Sequence, residues 1–285
     1  MYSDLKKYLK KFPKVFSILK FILKAVYMAV SIFNRLKWPI IARILKKNIL
    51  TNDFYDKLEK KPQAGTICED TQVMHNGLLI YKQSYCDGKL SKIFEKTKGI
   101  FEPEVQYYFE TVLENMGKTP VMIELGSYWG FYSMWFLKHC DGGRSFLIDP
   151  NAKNLVFGQR NFSLNNLTGN FICAFIGKLP CLEFNGVPTI NIDTFVREKS
   201  LHSVDILHVD IQGYEMEMLE GAAESFQEKK IGYIFIATHS KELHKGCLDF
   251  LQKMNYKIVA NIDKPKVKCE DGFILGERIT GVKDV

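Results

Sequence analysis

The stretch Val121-Met122-Ile123-Glu124-Leu125-Gly126-Ser127-Tyr128-Trp129-Gly130 decides the fold. A short, β-branched apolar run ends in Glu and Gly, then turns into the helical pattern Phe131–His139. An open α/β sheet builds a nucleotide-sized pocket in this way. Gly126 lets the backbone approach a ligand with no Cβ in between, and Gly130 eases close packing of helix on strand. Glu124 stands where a carboxylate holds ammonium or hydroxyl groups, with Ser127 and Tyr128 lining the same turn. A generic α/β turn that binds nothing is the alternative reading.

The elements that follow favour a binding turn. Ser145–Ile148 reads as a second strand, ending in Asp149-Pro150-Asn151. Folds of this kind place the acid that grips a ribose diol roughly 20 residues beyond the glycine turn. Helix 152–165 and strand 171–175 come next. A dinucleotide fingerprint needs Gly at position 128, where this chain has Tyr. The bulk there argues against a diphosphate over the helix N-terminus and leaves room for a ligand with ribose and adenine alone.

Farther along, the pattern predicts a short segment at 189–192, helix 194–199, strand 204–209, helix 214–226, strand 231–237, helix 241–254 and strands 256–260 and 272–276. Strand–helix alternation at this spacing implies a mostly parallel sheet with helices on both faces, a Rossmann-like α/β fold. Upstream, Gly77–Tyr81 reads as a strand. Residues 84–102 read as a polar flap, and Glu102-Pro103 starts a helix with Pro in the tolerated first position.

The net charge of +7 is misleading as an average. Residues 1–50 hold 12 Lys or Arg against the single acid Asp4, and the rest of the chain is net acidic. Leu5, Leu9, Phe12, Phe16, Leu19, Leu23, Val26, Val30 and Phe33 recur at helical spacing among the lysines, which makes a cationic amphipathic helix. Its longest uncharged run, Ala25–Asn34, is too short to cross a bilayer. An anionic membrane surface is the expected partner. The alternatives are a docked partner helix, a second copy of the chain in a homo-oligomer, or packing on the chain's own core. The punctuation Lys61-Pro62-Gln63-Ala64-Gly65 places the boundary of this extension at 62, with residues 63–285 as the main domain and 63–102 as its flap. Seven scattered cysteines without CxxC spacing imply reduced thiols in the cytoplasm, without disulfide or zinc framework. Together these features predict a cytoplasmic protein lying peripherally on the inner face of a membrane. The acidic core argues against a nucleic-acid partner.

Ligands in such folds bind beyond the carboxyl ends of the strands. The run Val204-Asp205-Ile206-Leu207-His208-Val209-Asp210 puts His208 and Asp210 on one side of a strand. Thr238-His239-Ser240 ends the next strand, with His244 a little over one helical turn beyond. His239 has the intrinsic pKa to take a proton from an attacking alcohol, with Asp210 orienting it or binding the acceptor hydroxyl. The same pair could instead hold a divalent cation. His208, Gln212, Tyr214, Glu215, His244 and Asp271 are the candidate acceptor-binding residues. For His208 and His244 the competing reading is a hydrogen-bonded structural role, for Glu215 the start of its helix, and for Asp271 the shaping of a turn.

Taken together, Val121–Gly130, Leu147-Ile148-Asp149-Pro150-Asn151, Ile192-Asp193-Thr194-Phe195, Val204–Glu215 with Leu219-Glu220-Gly221-Ala222, and Thr238-His239-Ser240 resemble the FkbM-type S-adenosylmethionine-dependent methyltransferases. Asp-Ile-Gln-Gly-Tyr-Glu at 210–215 resembles the family's acid-x-x-Gly-x-Glu signature. The resemblance implies a class I methyltransferase fold with S-adenosyl-L-methionine as cofactor. It also implies methylation of a hydroxyl on a sugar, a glycan or another secondary metabolite. A non-catalytic, membrane-associated adaptor of the same fold is the contrasting class. Glu124, Gly126, Ser127, Tyr128, Gly130, Asp149 and Asn151 would then belong to the cofactor site, with Asp210 and His239 at the reacting centre. Asp149 stands where the family more usually has Glu.

Overall fold

In the computed structural model, residues 38–184, 186–263 and 272–279 are described. The chain divides into two compact units, residues 1–48 and 49–285. Of the first unit, the described part, residues 38–48, is helical, and Trp38-Pro39, expected to end a helix, lies within it. The basic stripe over residues 1–37 and the candidate Asp271 lie outside the described residues.

In the second unit, residues 51–62 form successive turns. Asn52 is the physical reason. Its Oδ1 accepts the Phe54 amide at 2.9 Å and its Nδ2 donates to Glu104 at 2.8 Å, a side-chain bond that competes with helical pairing. The Lys61 amide donates to the His75 carbonyl, so the Lys61-Pro62 turn lies inside this unit.

A small antiparallel sheet follows, built from β1 (Ile67–Cys68), β2 (Thr71–Val73) and β3 (Leu79–Tyr81). Residues 82–90 then lead into α1 (Ser91–Thr97) and α2 (Pro103–Leu113). The stretch read as a polar flap therefore contains a helix whose Ile93 and Phe94 are buried. The central elements are β4 (Val121–Leu125), α3 (Phe131–His139), β5 (Arg144–Ile148), α4 (Ala152–Leu164) and β6 (Asn170–Ile172). After a small three-stranded sheet of β7 (Phe175–Ile176), β8 (Cys181–Phe184) and β9 (Val187–Ile190) come α5 (Ile192–Glu198) and β10 (Val204–Val209). The chain closes with α6 (Glu215–Glu220), α7 (Ala223–Gln227), β11 (Ile231–Thr238), α8 (Lys241–Lys253), β12 (Tyr256–Ile262) and β13 (Gly272–Arg278).

The seven-stranded sheet runs β12-β13-β11-β10-β4-β5-β6, with β13 antiparallel to both neighbours and the other pairings parallel. Strand β4 is buried at all five positions, as a central parallel strand covered on both faces requires. The strand order reverses between β4 and β10, and the crevice at that switch point is where such sheets bind ligands. Helix starts follow local chemistry: Asn151, Asn191 and Ser240 cap α4, α5 and α8 through their side chains.

The single helix expected over 214–226 is two helices. Gly221 packs so closely that a Cβ would sit 2.5 Å from the Gly177 carbonyl oxygen. The Asp193 carboxylate accepts the amides of Glu224 and Ser225 at 3.0 and 2.8 Å, which starts α7 as a separate helix. The expected strand 171–175 likewise divides, because the chain leaves the large sheet after Ile172 and joins the small one at Phe175.

Candidate active site

Two carboxyl ends meet at the switch point. At the first, Gly126 has φ +72° and a Cβ there would run into the Asp210 carbonyl oxygen, so only glycine fits. The turn stays left-handed at Tyr128 (φ 46°) and Gly130 (φ 77°) before α3 begins. Glu124 is 3% exposed and its Oε2 accepts the Ser133 amide of α3 at 3.1 Å. Burial pushes its carboxyl up to about 8, because desolvation penalises the charged form.

Asp149 ends β5 and is 4% exposed. Its oxygens accept the Tyr128 amide (3.0 Å), the Asn151 amide (2.8 Å) and the Asn154 side-chain amide (3.2 Å to each oxygen). Desolvation raises its pKa against those donors. The ribose-gripping acid of the sequence reading is, in this structure, the brace that ties the glycine turn to the start of α4. The Asn151 side chain is engaged in capping that helix, where it accepts the Lys153 amide at 3.0 Å.

The second carboxyl end gathers a chain of polar groups. His239 Nδ1 lies 2.6 Å from Glu215 Oε1, which also accepts the Gly213 amide at 2.9 Å. Nε2 of the same ring lies 2.8 Å from Gln212 Nε2 and 3.3 Å from Asp210 Oδ1. Gln212 donates to Asp210 at 2.8 Å. Burial raises the Asp210 pKa, but its bonds to His239 and Gln212 outweigh burial and hold it below the usual carboxylate value. The sequence reading had Asp210 orienting the imidazole or binding the acceptor hydroxyl. The group on Nδ1 is Glu215, which fixes the tautomer and leaves Nε2 facing Asp210.

Other candidates take different places. His208 is 7% exposed, stacks on Tyr132 at 4.2 Å and is held neutral by burial, its pKa lowered to about 4. His244 does not reach the crevice. Its Nδ1 pairs with Thr238 Oγ1 at 2.7 Å and its Nε2 with Asn261 Oδ1 at 2.8 Å, so it ties α8 to the sheet. Tyr214 stands at the lip with 60% of its surface exposed. The divalent cation considered for Asp210 and His239 finds no support. Among the described residues, no group of three or more His, Cys, Asp or Glu is placed to hold a metal ion.

Sequence reasoning missed Glu102 and Tyr85. The Tyr132 hydroxyl donates to Glu102 at 2.6 Å, and the Tyr85 ring sits 5.3 Å from Tyr128 and 5.4 Å from Trp129. The only local signal was Glu102 before Pro103; nothing local marks Tyr85.

Four buried polar atoms or rings test whether a ligand fits. Ser127 Oγ, both His208 ring nitrogens and Glu215 Oε2 have no hydrogen-bond partner among the described residues. Buried polar groups are rarely left so, and these flank the crevice on both sides. The residues present fit a nucleoside-bearing cofactor in this crevice.

The sheet order and the acid–imidazole cluster beyond the glycine turn define a Rossmann-like fold of the class I methyltransferase type. Within that class, residues 185–258 match the model of the methyltransferase FkbM domain, consistent with an FkbM-type methyltransferase. The match carries Asp210, Gly213, Glu215 and His239, and supports S-adenosylmethionine-dependent methyl transfer as the activity. The glycine turn lies outside the matched span. No curated protein matches the sequence.

Among solved structures, the chain is similar to precorrin-6y C5,15-methyltransferase from Geobacter metallireducens GS-15. That pair has 15% identity and a TM-score of 0.43, over 63% of this chain and 91% of that one. It is also similar to M. capricolum TrmK in complex with S-adenosyl-homocysteine, with 14% identity and a TM-score of 0.42 over 60% and 67% of the two chains. An rRNA methylase from Streptococcus thermophilus gives 8% identity and a TM-score of 0.47 over 64% and 99%.

Proposed function

We propose that this protein is an S-adenosylmethionine-dependent O-methyltransferase acting on a hydroxyl of a sugar or glycan. The observation that carries the reading is the Glu215–His239 pair beside Asp210. An imidazole anchored at Nδ1 by a carboxylate presents Nε2 as a base, and the ionised Asp210 next to it accepts a hydrogen bond from an alcohol. When bound, the cofactor supplies an electrophilic methyl group. The chain's own residues hold the acceptor oxygen at Asp210 and take its proton at His239 Nε2. Alignment of the oxygen does much of the rest. Glu215, sealed from solvent, is a positioning residue.

The sugar acceptor is favoured by the exposed ring of Tyr214 beside amide, carboxylate and imidazole groups. A flat apolar face next to hydrogen-bonding partners suits a ring with one apolar face and several hydroxyls. For the basic extension, an anionic membrane surface is the proposed partner, on the strength of its charge and apolar stripe. Among the described residues no helix is long and apolar enough to cross a membrane.

The test is methyl transfer by the full chain from S-adenosylmethionine to a panel of nucleotide sugars and oligosaccharides, read by mass. A gain of one methyl, stable to base and assigned to a single hydroxyl by deuteromethylation of the remaining ones, is the expected result. Transfer confined to nitrogen or carbon acceptors would overturn the O-methyl assignment.

A further inference from the structure

Ser127 and Asp149 line the presumed nucleoside end of the crevice, yet they are 3% and 4% exposed. The neighbouring segment 82–90 accounts for part of that enclosure. It is pinned at both ends. The Tyr81 amide donates to Asn161 Oδ1 at 3.0 Å, and Ser91 exchanges two hydrogen bonds of 2.9 Å with the buried Gln72. Between these posts the segment reaches the glycine turn. The Cys86 amide donates to the Tyr128 hydroxyl at 3.0 Å, and Asp87 meets Lys153 of α4 at 3.4 Å. The Tyr85 ring covers the turn, 5.3 to 5.9 Å from Tyr128, Trp129, Phe94 and Phe101. Burial first, then the nearby charge of Glu102, drives its phenol pKa upward.

The ties are weak and the backbone is strained. Cys86, Asp87 and Gly88 are consecutively left-handed, with φ of 49°, 51° and 80°. The first two are not glycine, and each such residue costs on the order of 1 kcal/mol. The Asp87–Lys153 pair is largely exposed on both sides and contributes little. A strained bridge between rigid posts, held to the glycine turn by the Cys86–Tyr128 hydrogen bond and the packing of the Tyr85 ring, is suited to opening and reclosing.

We propose that residues 82–90 form an opening roof over the cofactor pocket, with Tyr85 as the ring that closes on the bound cofactor and the Tyr128 hydroxyl as the latch. The proposal rests on the methyltransferase reading above. It also gives Tyr128 a role that a small residue cannot fill. In the closed form the roof shields the pocket from water, and product release requires the latch to break.

The experiment uses the full chain and S-adenosyl-homocysteine as probe. Amide hydrogen exchange is measured without ligand on the unaltered protein and on Tyr128→Phe, which keeps the ring and deletes the hydroxyl. The Cys86 amide is expected to exchange roughly five- to tenfold faster in the variant, with the melting temperature unchanged. The dissociation rate of S-adenosyl-homocysteine, followed by tryptophan fluorescence, should rise by a similar factor. Tyr85→Ala should weaken binding about tenfold or more through dissociation, while Tyr85→Phe should bind as the unaltered chain does. Equal Cys86 exchange, or equal dissociation from Tyr85→Ala, would overturn the roof while leaving the methyltransferase reading in place. No binding by the unaltered chain, with the exchange difference still present, would remove the methyltransferase reading and the roof's purpose together.

Discussion

Glu124→Gln should change how stability depends on pH, in a direction and amount set by the structure. The Glu124 carboxyl is held up to about 8 when folded, against 4.5 in its ordinary state. Between those values the folded chain keeps a proton that the unfolded chain has released, so stability falls as pH rises through the interval. The buried imidazoles work from the other side. His208 and His75 are lowered from 6.5 to about 4 and about 3. Below 6.5 the unfolded chain takes up protons that the folded chain refuses, so stability is lost as pH falls. The two trends oppose one another below 6.5 and leave Glu124 dominant above it.

From pH 6.5 to about 8 the unaltered protein should therefore lose roughly 2 kcal/mol, at about 1.4 kcal/mol per pH unit. Glutamine keeps an acceptor for the Ser133 amide and removes the titration, so the variant should be level over that range. Urea melts followed by tryptophan fluorescence in steps across this window provide the assay. It should stop short of pH 9, where the Cys140 and Cys247 thiols, pushed up to about 11 and about 12 by burial, add a second decline. Parallel curves for the two proteins would refute the claim that Glu124 is buried and protonated near neutral pH.

The remaining predictions concern the site and its supports. His239→Ala should lower turnover by about two orders of magnitude or more while leaving S-adenosyl-homocysteine affinity unchanged by calorimetry; unchanged turnover would remove it as the base. Glu215→Gln should keep the Gly213 contact but lose the charge behind the imidazole, lowering turnover about tenfold with little change in acceptor KM. Asn161→Ala deletes bonds to the Tyr81 amide and the Trp129 carbonyl, and should cost roughly 2–4 kcal/mol in urea melts. A chain lacking residues 1–48 should no longer co-float with anionic liposomes; equal flotation would end the lipid proposal.

The strand–turn–helix at 121–139 was readable because every force that shapes it is local. A β-branched run, a glycine that must turn and an apolar helical period sit side by side, and α3 matches its sequence bounds. The same holds for β10 and, to within one residue, for α8.

Local pattern fails where partners come from elsewhere in the chain. Nothing near His244 distinguishes it from His239. The difference is that Thr238 and Asn261 occupy both its nitrogens, whereas His239 is turned toward the carboxylates at the end of β10. The break at Gly221 depends on a carbonyl from residue 177 and a cap from residue 193. Tyr128 looked in sequence like an obstacle to a diphosphate, and only the arrival of Cys86 above it shows a hydroxyl with a partner.

The sequence by itself determined the alternation of strands and helices and the polar residues at the strand ends, because these follow from periodicity and residue type at short range. The tertiary structure alone decided which carboxylate stands behind which imidazole. It also decided which histidine is tied on both nitrogens and which segment meets Tyr128, because hydrogen bonds and burial depend on neighbours brought together by folding rather than by chain order.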